Sequence, residues 1–176
     1  MANFLVVTAI GTDRPGIVNE LTQLVMQTNC NIVDSRLAVF GNEFTLILLL
    51  SGEWNAITRF ENDLSIRSAQ LELITLMKRT SEHELVNYTT QMLIKLDGQD
   101  APGCIGQFTQ YLAEQGVDLS SFRTKAKSGY QQIQMVINLN DTVDLLDLKQ
   151  HFTELAGQLN LTIRFEQLEQ SELKEQ

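Results

Sequence analysis

The stretch GTDRPGIVNELTQLV, Gly11 to Val25, joins an apolar run to a segment in which apolar residues recur with helical spacing. The run before it, FLVVTAI from Phe4 to Ile10, is rich in residues that favour β-strands. The apolar residues after the turn share one helical face: Ile17, Val18, Leu21, Leu24 and Val25. The stretch therefore predicts a strand, a tight turn and a helix.

The stretch GQDAPGCIGQFTQYL, Gly98 to Leu112, repeats this arrangement in the second half of the chain. When Gly11 is aligned with Gly98, the further matched pairs are Asp13 with Asp100, Pro15 with Pro102, Gly16 with Gly103, Val18 with Ile105, Leu21 with Phe108, Ile32 with Leu119, and Arg36 with Arg123. A single register held as far as Arg36 indicates a tandem duplication.

Each half is predicted to follow the order βαββαβ. In the first half we predict strands at Asn3–Ile10, Asn31–Phe40, Glu43–Leu50 and Leu71–Met77, with helices at Pro15–Thr28 and through Trp54, Ile57, Phe60 and Leu64. In the second half we predict strands at Gln91–Leu96, Asp118–Lys127, Tyr130–Leu139 and Leu161–Phe165, with helices at Pro102–Gln115 and Thr142–Gln158.

Short connections and right-handed crossovers turn this order into an α+β fold of two tandem ferredoxin-like domains. Each is a four-stranded antiparallel sheet with two helices on one face. We predict the first domain at 1–80, a linker at 81–89, the second domain at 90–168 and an acidic tail at 169–176.

The third strand of the first half, FTLILLL, is apolar on both of its alternating faces, whereas its counterpart after Tyr130 alternates apolar and polar residues. We therefore expect the first sheet to bury its helix-free face, against the other repeat, a second chain or another protein. We also expect Trp54 to anchor the core at the start of its helix.

The composition argues against several classes of function. A net charge of −9 and a pI near 4.6 disfavour direct contact with nucleic acid, because phosphate binding needs clustered Lys and Arg. No segment is long and apolar enough to span a membrane, and two cysteines make no disulfide framework, so we expect a cytoplasmic protein. With only His83 and His151 as histidines, we expect neither a metal site nor another cofactor.

The duplicated turn can be interpreted in two ways. Proline suits the first position of a helix, and a glycine beside it lets a ligand approach the unpaired N–H groups there, which favour a carboxylate. Asp13 and Asp100 would then hold an ammonium group, and the turn would bind a free amino acid. Alternatively, the two aspartates only cap their helices and Pro-Gly only ends the strand.

The pattern DRPGIVNELTQLVMQTNCNIVDSR, followed by an apolar hairpin, resembles the ACT domain, a small-molecule-sensing module of βαββαβ fold. The two repeats cover nearly the whole chain. Tandem ACT chains of this length that open with GTDRPGIV resemble the glycine cleavage system transcriptional repressor group of bacteria. The second motif departs from the pattern, because Ala101 replaces the arginine and Cys104 replaces an aliphatic residue.

This resemblance implies a sensor that binds a small amino acid, with glycine the expected ligand, where ACT domains pair. In the first repeat the ligand-binding residues it implies are Asp13, Arg14, Pro15, Gly16, Ile17 and Val18, with Asn31 and Ile32 at the start of the second strand. In the second repeat they are Asp100, Gly103, Cys104 and Ile105, with Asp118 and Leu119. If only one repeat binds, we expect the first.

The resemblance also implies repression of glycine cleavage genes through contact with a transcription activator, with a homodimer as a possible assembly. We expect no enzyme, because no nucleophile and base occur together in a known catalytic pattern. Two alternatives stay open: a constitutive ACT interaction module, and a regulatory subunit of a metabolic enzyme that responds to no ligand.

Overall fold

The computed structural model describes residues 3–81, 88 and 90–168, and the chain divides into two compact units, Met1–Glu84 and Leu85–Gln176. The first unit contains β1 (Asn3–Thr12), α1 (Ile17–Gln27), β2 (Asn31–Phe40), β3 (Glu43–Gly52), α2 (Trp54–Gln70) and β4 (Ile74–Thr80). The second contains β5 (Thr90–Gln99), α3 (Cys104–Glu114), β6 (Asp118–Lys127), β7 (Tyr130–Leu139), α4 (Leu145–Gln158) and β8 (Leu161–Leu168).

Both units have the predicted βαββαβ order and the predicted four-stranded antiparallel sheet. The strand orders are β2-β3-β1-β4 and β6-β7-β5-β8, so the first strand of each unit lies inside its sheet and the second strand lies at an edge. The α+β, ferredoxin-like prediction is confirmed. The predicted linker and acidic tail lie almost entirely outside the described residues, as does His83, so the four domain bounds stay a prediction.

Each unit buries one face of its sheet under its two helices. In the first unit the alternating residues Leu5, Val7 and Ala9 of β1 meet Leu21 and Leu24 of α1. The second unit has its own core, in which the rings of Phe108 of α3 and Phe152 of α4 pack in a tilted arrangement with centroids 5.0 Å apart. Burial of apolar side chains at helical and strand spacing therefore determines both folds.

Some predicted boundaries are wrong. The fourth strand begins at Ile74 rather than Leu71, because the chain turns there through Glu72, which has a positive φ of 56°. The last helix begins at Leu145 rather than Thr142, because Asp144 accepts bonds from the amides of Leu146 and Asp147 and so fixes the helix start.

The prediction that Trp54 anchors the core is wrong. Its side chain is 60% exposed, and the Arg79 guanidinium lies 3.8 Å from its ring centroid. Arg79 also donates to both carboxylate oxygens of Glu61 on α2, at 2.9 and 2.7 Å. These bonds hold the pKa of Glu61 below its usual value. Trp54 thus covers a surface ion pair that joins α2 to β4.

Candidate functional site

Each duplicated motif forms a type II turn that leads into a helix. Pro15 and Gly16 occupy the two central positions, Gly16 has φ 90° and ψ −12°, and the amide of Ile17 donates to the Arg14 carbonyl at 3.3 Å. In the second unit Gly103 has φ 80° and ψ −2°, and Cys104 donates to Ala101 at 3.2 Å. Glycine is needed here for its left-handed backbone.

This geometry corrects the interpretation of the prolines as first helical residues. Pro15 and Pro102 lie two residues before their helices, which begin at Ile17 and Cys104. The capping alternative is also wrong for Asp13 and Asp100, because among the described residues no side chain caps either helix. The aspartates are held by their backbone instead: Asp13 N–H donates to Asn42, and Asp100 N–H donates to Gly129, both at 2.9 Å.

Both helix starts have amide donors without an acceptor. Four N–H groups donate to no acceptor in the described part of the chain: those of Val18 and Asn19 in α1 and those of Ile105 and Gly106 in α3. Asp13 and Asp100 are exposed, and their carboxylates have no hydrogen bond or ion pair with any described residue. Each turn thus combines free donors at a positive helix end with a free carboxylate.

Arg14 has a structural partner in the first unit. Its Nη2 donates at 2.9 Å to the carbonyl of Leu71, the C-cap residue that follows α2. A cation at this position satisfies a terminal carbonyl and opposes the negative end of the helix dipole. Arg14 therefore ties the turn before α1 to the end of α2. The second unit has Ala101 at this position and lacks the bond.

The second turn lies over a buried polar pair that sequence reasoning missed. Cys104 is 1% exposed and Gln131 is 2% exposed, and Gln131 Nε2 donates to Cys104 Sγ at 3.0 Å and to the Gln99 carbonyl at 3.2 Å. Ile17 and Phe44 occupy the matching positions in the first unit. The sequence feature that could have indicated this pair is Gln131 itself, a polar residue at the start of a strand in which apolar and polar residues alternate.

The predicted residues of each unit fall into two groups at opposite ends of its sheet. The loop group follows β1, whose Thr12 pairs with Glu43 at the start of β3, whereas Asn31 pairs with Ser51 near the end of β3. At about 3.3 Å per residue, the two groups are roughly 25 Å apart. The register of the second unit is equivalent, with Gln99 paired to Tyr130 and Asp118 to Asn138. One unit alone does not bring its predicted residues together.

The start of β6 is occupied by a polar network. Asp118 Oδ2 accepts from Asn138 Nδ2 at 2.6 Å and from the Tyr88 hydroxyl at 3.0 Å. Burial and the neighbouring carboxylate raise the pKa of Tyr88, since both disfavour the phenolate. Asn31, which matches Asp118 in the first unit, is exposed and makes no side-chain bond to any described residue.

The described residues hold no cluster of three or more His, Cys, Asp and Glu side chains that is suited to a metal. None of their helices has the length and hydropathy required to cross a bilayer.

Comparison with known proteins gives a family for this arrangement. The ACT domain model matches residues 3–78. The glycine cleavage system transcriptional repressor of Escherichia coli (strain K12) is 36% identical over 164 residues, which cover 90% of this chain and 86% of the relative. The Shigella flexneri repressor matches to the same extent. The chain belongs to this family of ACT-domain repressors.

The structural comparison agrees with this ACT-domain assignment. The crystal structure of a protein assigned as a glycine cleavage system transcriptional repressor superposes with a TM-score of 0.78 at 36% identity, covering 96% of this chain and 99% of the other. A protein from Galdieria sulphuraria has the same fold over 96% of the chain, with a TM-score of 0.76 at 19% identity. Because the relatives that are 36% identical over at least 90% of this chain are repressors, this ACT-domain chain is a regulatory protein and not an enzyme.

Proposed function

We propose that this protein senses a small amino acid, glycine in the first instance, and represses glycine cleavage genes through contact with a transcription activator. One observation carries the sensing part: free helix-start amides beside the free carboxylate of Asp13. The amides of Val18 and Asn19 would receive the ligand carboxylate, and Asp13 would receive its ammonium group. A zwitterion complements both charges of the turn.

A complete site requires two ACT units. Asn31 and Ile32 lie roughly 25 Å from the turn of their own unit, so they can contact a ligand only if it is held by the turn of another, adjacent unit. The edge position of β2 suits such an arrangement, because an edge strand can pair antiparallel with a second edge strand. The amino acid would then lie between the first turn of one chain and the β2 start of a second chain.

The first unit is the better candidate for binding. Its Asn31 amide has no side-chain partner among the described residues, whereas Asp118 already accepts from Tyr88 and Asn138. Arg14 also fixes the first turn against the end of α2, which lowers the entropy lost when a ligand binds there. The second turn lacks this bond.

Thermal shift measurements with the full chain test the sensing part. Glycine at millimolar concentration should raise the melting temperature, because a ligand that binds only the folded state stabilises it. Glycine methyl ester lacks the carboxylate charge and acetate lacks the ammonium group, so both should be weaker. If no amino acid in a broad panel shifts the melting temperature, sensing is refuted and a constitutive interaction module is the better explanation.

The regulatory part is supported by family membership and by charge. A net charge of −9 repels the phosphate backbone, so repression through an activator protein is physically simpler than repression through DNA contact. A gel-shift assay with glycine cleavage promoter DNA tests this. We expect no shift from this protein alone and a supershift when the activator is present. Binding to bare promoter DNA, or co-purification with a metabolic enzyme instead, would refute the activator contact.

A further inference from the structure

The helix-free face of the first sheet carries an apolar patch formed by Ile10, Ile47, Ile74 and Leu76. Ile74 and Leu76 of β4 are 74% and 71% exposed, and Ile47 of β3 is 41% exposed. The register brings these residues together: Ile10 pairs with Ile74, and Thr8 pairs with both Leu76 and Ile47. Half-buried apolar residues, Val6 and Leu49, extend the patch along the strands.

The second sheet has polar residues at the same positions. By register, Asp97, Gln134, Thr162 and Arg164 replace Ile10, Ile47, Ile74 and Leu76. Two of these residues are bonded to each other, because Arg164 donates to Asp97 at 2.9 Å. On the same face Gln132 donates to Asp97 at 3.0 Å, and Lys95 donates to Glu166 at 2.8 Å. A sheet face can thus be exposed in this fold without a large apolar patch, so the patch of the first sheet points to an interface.

The charge on the first face favours a second copy of this chain as its partner. Two acidic and two basic residues lie on the face, Asp34, Glu43, Arg36 and Lys78, so the face has no net charge. Two whole chains repel each other, because each carries a net charge of −9. Copies can approach with the least repulsion where this negative charge is absent.

The area of the face is sufficient for a reversible dimer. From Phe4 to Ile10 and across four strands, the face has a plan area of roughly 450 Å², from the usual strand spacing and rise. The relief of the side chains makes the accessible area larger than the plan area. Two copies would therefore bury on the order of 1,000 Å², which is the lower bound for a specific interface.

We propose that the apolar face of the first sheet is a self-association surface, on which two copies pack sheet against sheet about a two-fold axis. In a two-fold arrangement the same patch serves both partners, so a patch that is apolar in its centre and charged at its rim complements itself. The patch is formed by strand residues and contains no residue of the turn before α1, and the association needs no amino acid.

Analytical ultracentrifugation of the full chain tests this proposal, over about 1 to 200 μM and without amino acids. We expect the wild type to convert from monomer to dimer within this range. Leu76→Arg should raise the dimer dissociation constant at least about 100-fold, because it buries a charge without a partner. The matched control Ile66→Arg removes an exposed apolar residue from α2 of the same unit and should change the constant less than about threefold.

Salt and a second variant add independent readouts. Raising the salt concentration should strengthen the dimer, because it screens the repulsion between two acidic chains. Ile74→Thr introduces the residue type found at the matching position, Thr162, and should weaken the dimer without adding charge. A wild type that stays monomeric to about 200 μM overturns the proposal. So does an association that Leu76→Arg leaves unchanged, or one that Ile66→Arg weakens equally.

Discussion

The turn before α1 and the turn before α3 share a backbone and differ in the side chains around it. Gly16 and Gly103 adopt nearly the same left-handed conformation, and an aspartate N–H bonds the adjacent β-hairpin in both units. In the first unit the Arg14 side chain donates a hydrogen bond to the carbonyl that follows α2. In the second unit Gln131 donates to Cys104, and both side chains are buried. Duplication thus preserved the backbone while the surrounding contacts diverged.

The two sheets show the same difference on a larger scale. The helix-free face of the second sheet carries ion pairs and a hydrogen bond from an amide side chain, whereas that of the first carries an apolar patch and no net charge. The differences between the units therefore lie at the turn that we propose as the ligand site and at the sheet face that we propose as the self-association surface. Variants made at matched positions in the two units can test this conclusion directly.

The largest expected difference in stability is at Gly11 and Gly98, the penultimate residues of the first strand of each unit. A Cβ added to Gly98 would lie 2.7 Å from the backbone oxygen of Asn160, but one added to Gly11 would lie 2.6 Å from Cδ2 of the Leu73 side chain. Because backbone yields less than the end of a side chain, Gly98→Ala should destabilise by about 3 kcal/mol and Gly11→Ala by about 1 kcal/mol. Urea unfolding measures both, and equal losses would contradict the reason given.

The next largest loss of stability should be equal in the two units, at the glycines of the two turns. Gly16→Ala and Gly103→Ala should each cost about 1–2 kcal/mol, because alanine tolerates a positive φ poorly although there is open space around both positions. Gly106→Ala is the control: it lies inside α3 with a negative φ, and it should stabilise by about 0.5–1 kcal/mol. If Gly16→Ala leaves the free energy of unfolding unchanged, the type II turn is refuted.

A smaller effect, present in one unit only, is expected at Arg14. Arg14→Ala removes the bond to the Leu71 carbonyl and should cost about 0.5–1 kcal/mol. Arg14→Lys should recover only part of this stability. Lysine keeps the charge, but it lacks the planar donor group of arginine. Hydrogen exchange at the last turn of α2 should accelerate in Arg14→Ala. If it does not, Arg14 does not hold this end of the helix.

The smallest expected effect depends on pH. The pKa of Glu61 is lowered in the folded state by its bonds from Arg79, so the ion pair adds stability at neutral pH. This stability should disappear as the pH falls below about 4.3, the usual value for glutamate, and through the lowered pKa. Glu61→Gln should thus be less stable than wild type at pH 7, and the gap should close in acid. A gap that is constant with pH would exclude this electrostatic origin.

The order of elements along the chain and the residues of the cores followed from the sequence because they depend on spacing. The apolar positions of α1 and the alternation in β7 predicted burial correctly, and the shared register of Gly11 and Gly98 predicted the duplication. Helix starts were less predictable. The turn Arg14–Ile17 delays α1 by two residues, which depends on the positive φ of Gly16, a feature that proline and glycine spacing alone does not indicate.

The candidate site was only partly predictable, because its residues take partners from distant parts of the chain. Nothing local to Arg14 indicates that it bonds Leu71, and nothing local to Trp54 indicates that it lies over Arg79. The separation of Asn31 from its own turn follows from strand direction, and it emerges only once the sheet register is known.

Calorimetric titration with glycine tests the central claim most directly, that the first turn is the amino-acid sensor. Asp13→Asn and Asp100→Asn form a matched pair, since both aspartates are exposed and both hold their turns through the backbone N–H, which the substitution keeps. We predict that wild type and Asp100→Asn bind glycine, and that Asp13→Asn binds at least about tenfold more weakly. Undiminished binding by Asp13→Asn, or a loss confined to Asp100→Asn, would contradict the account.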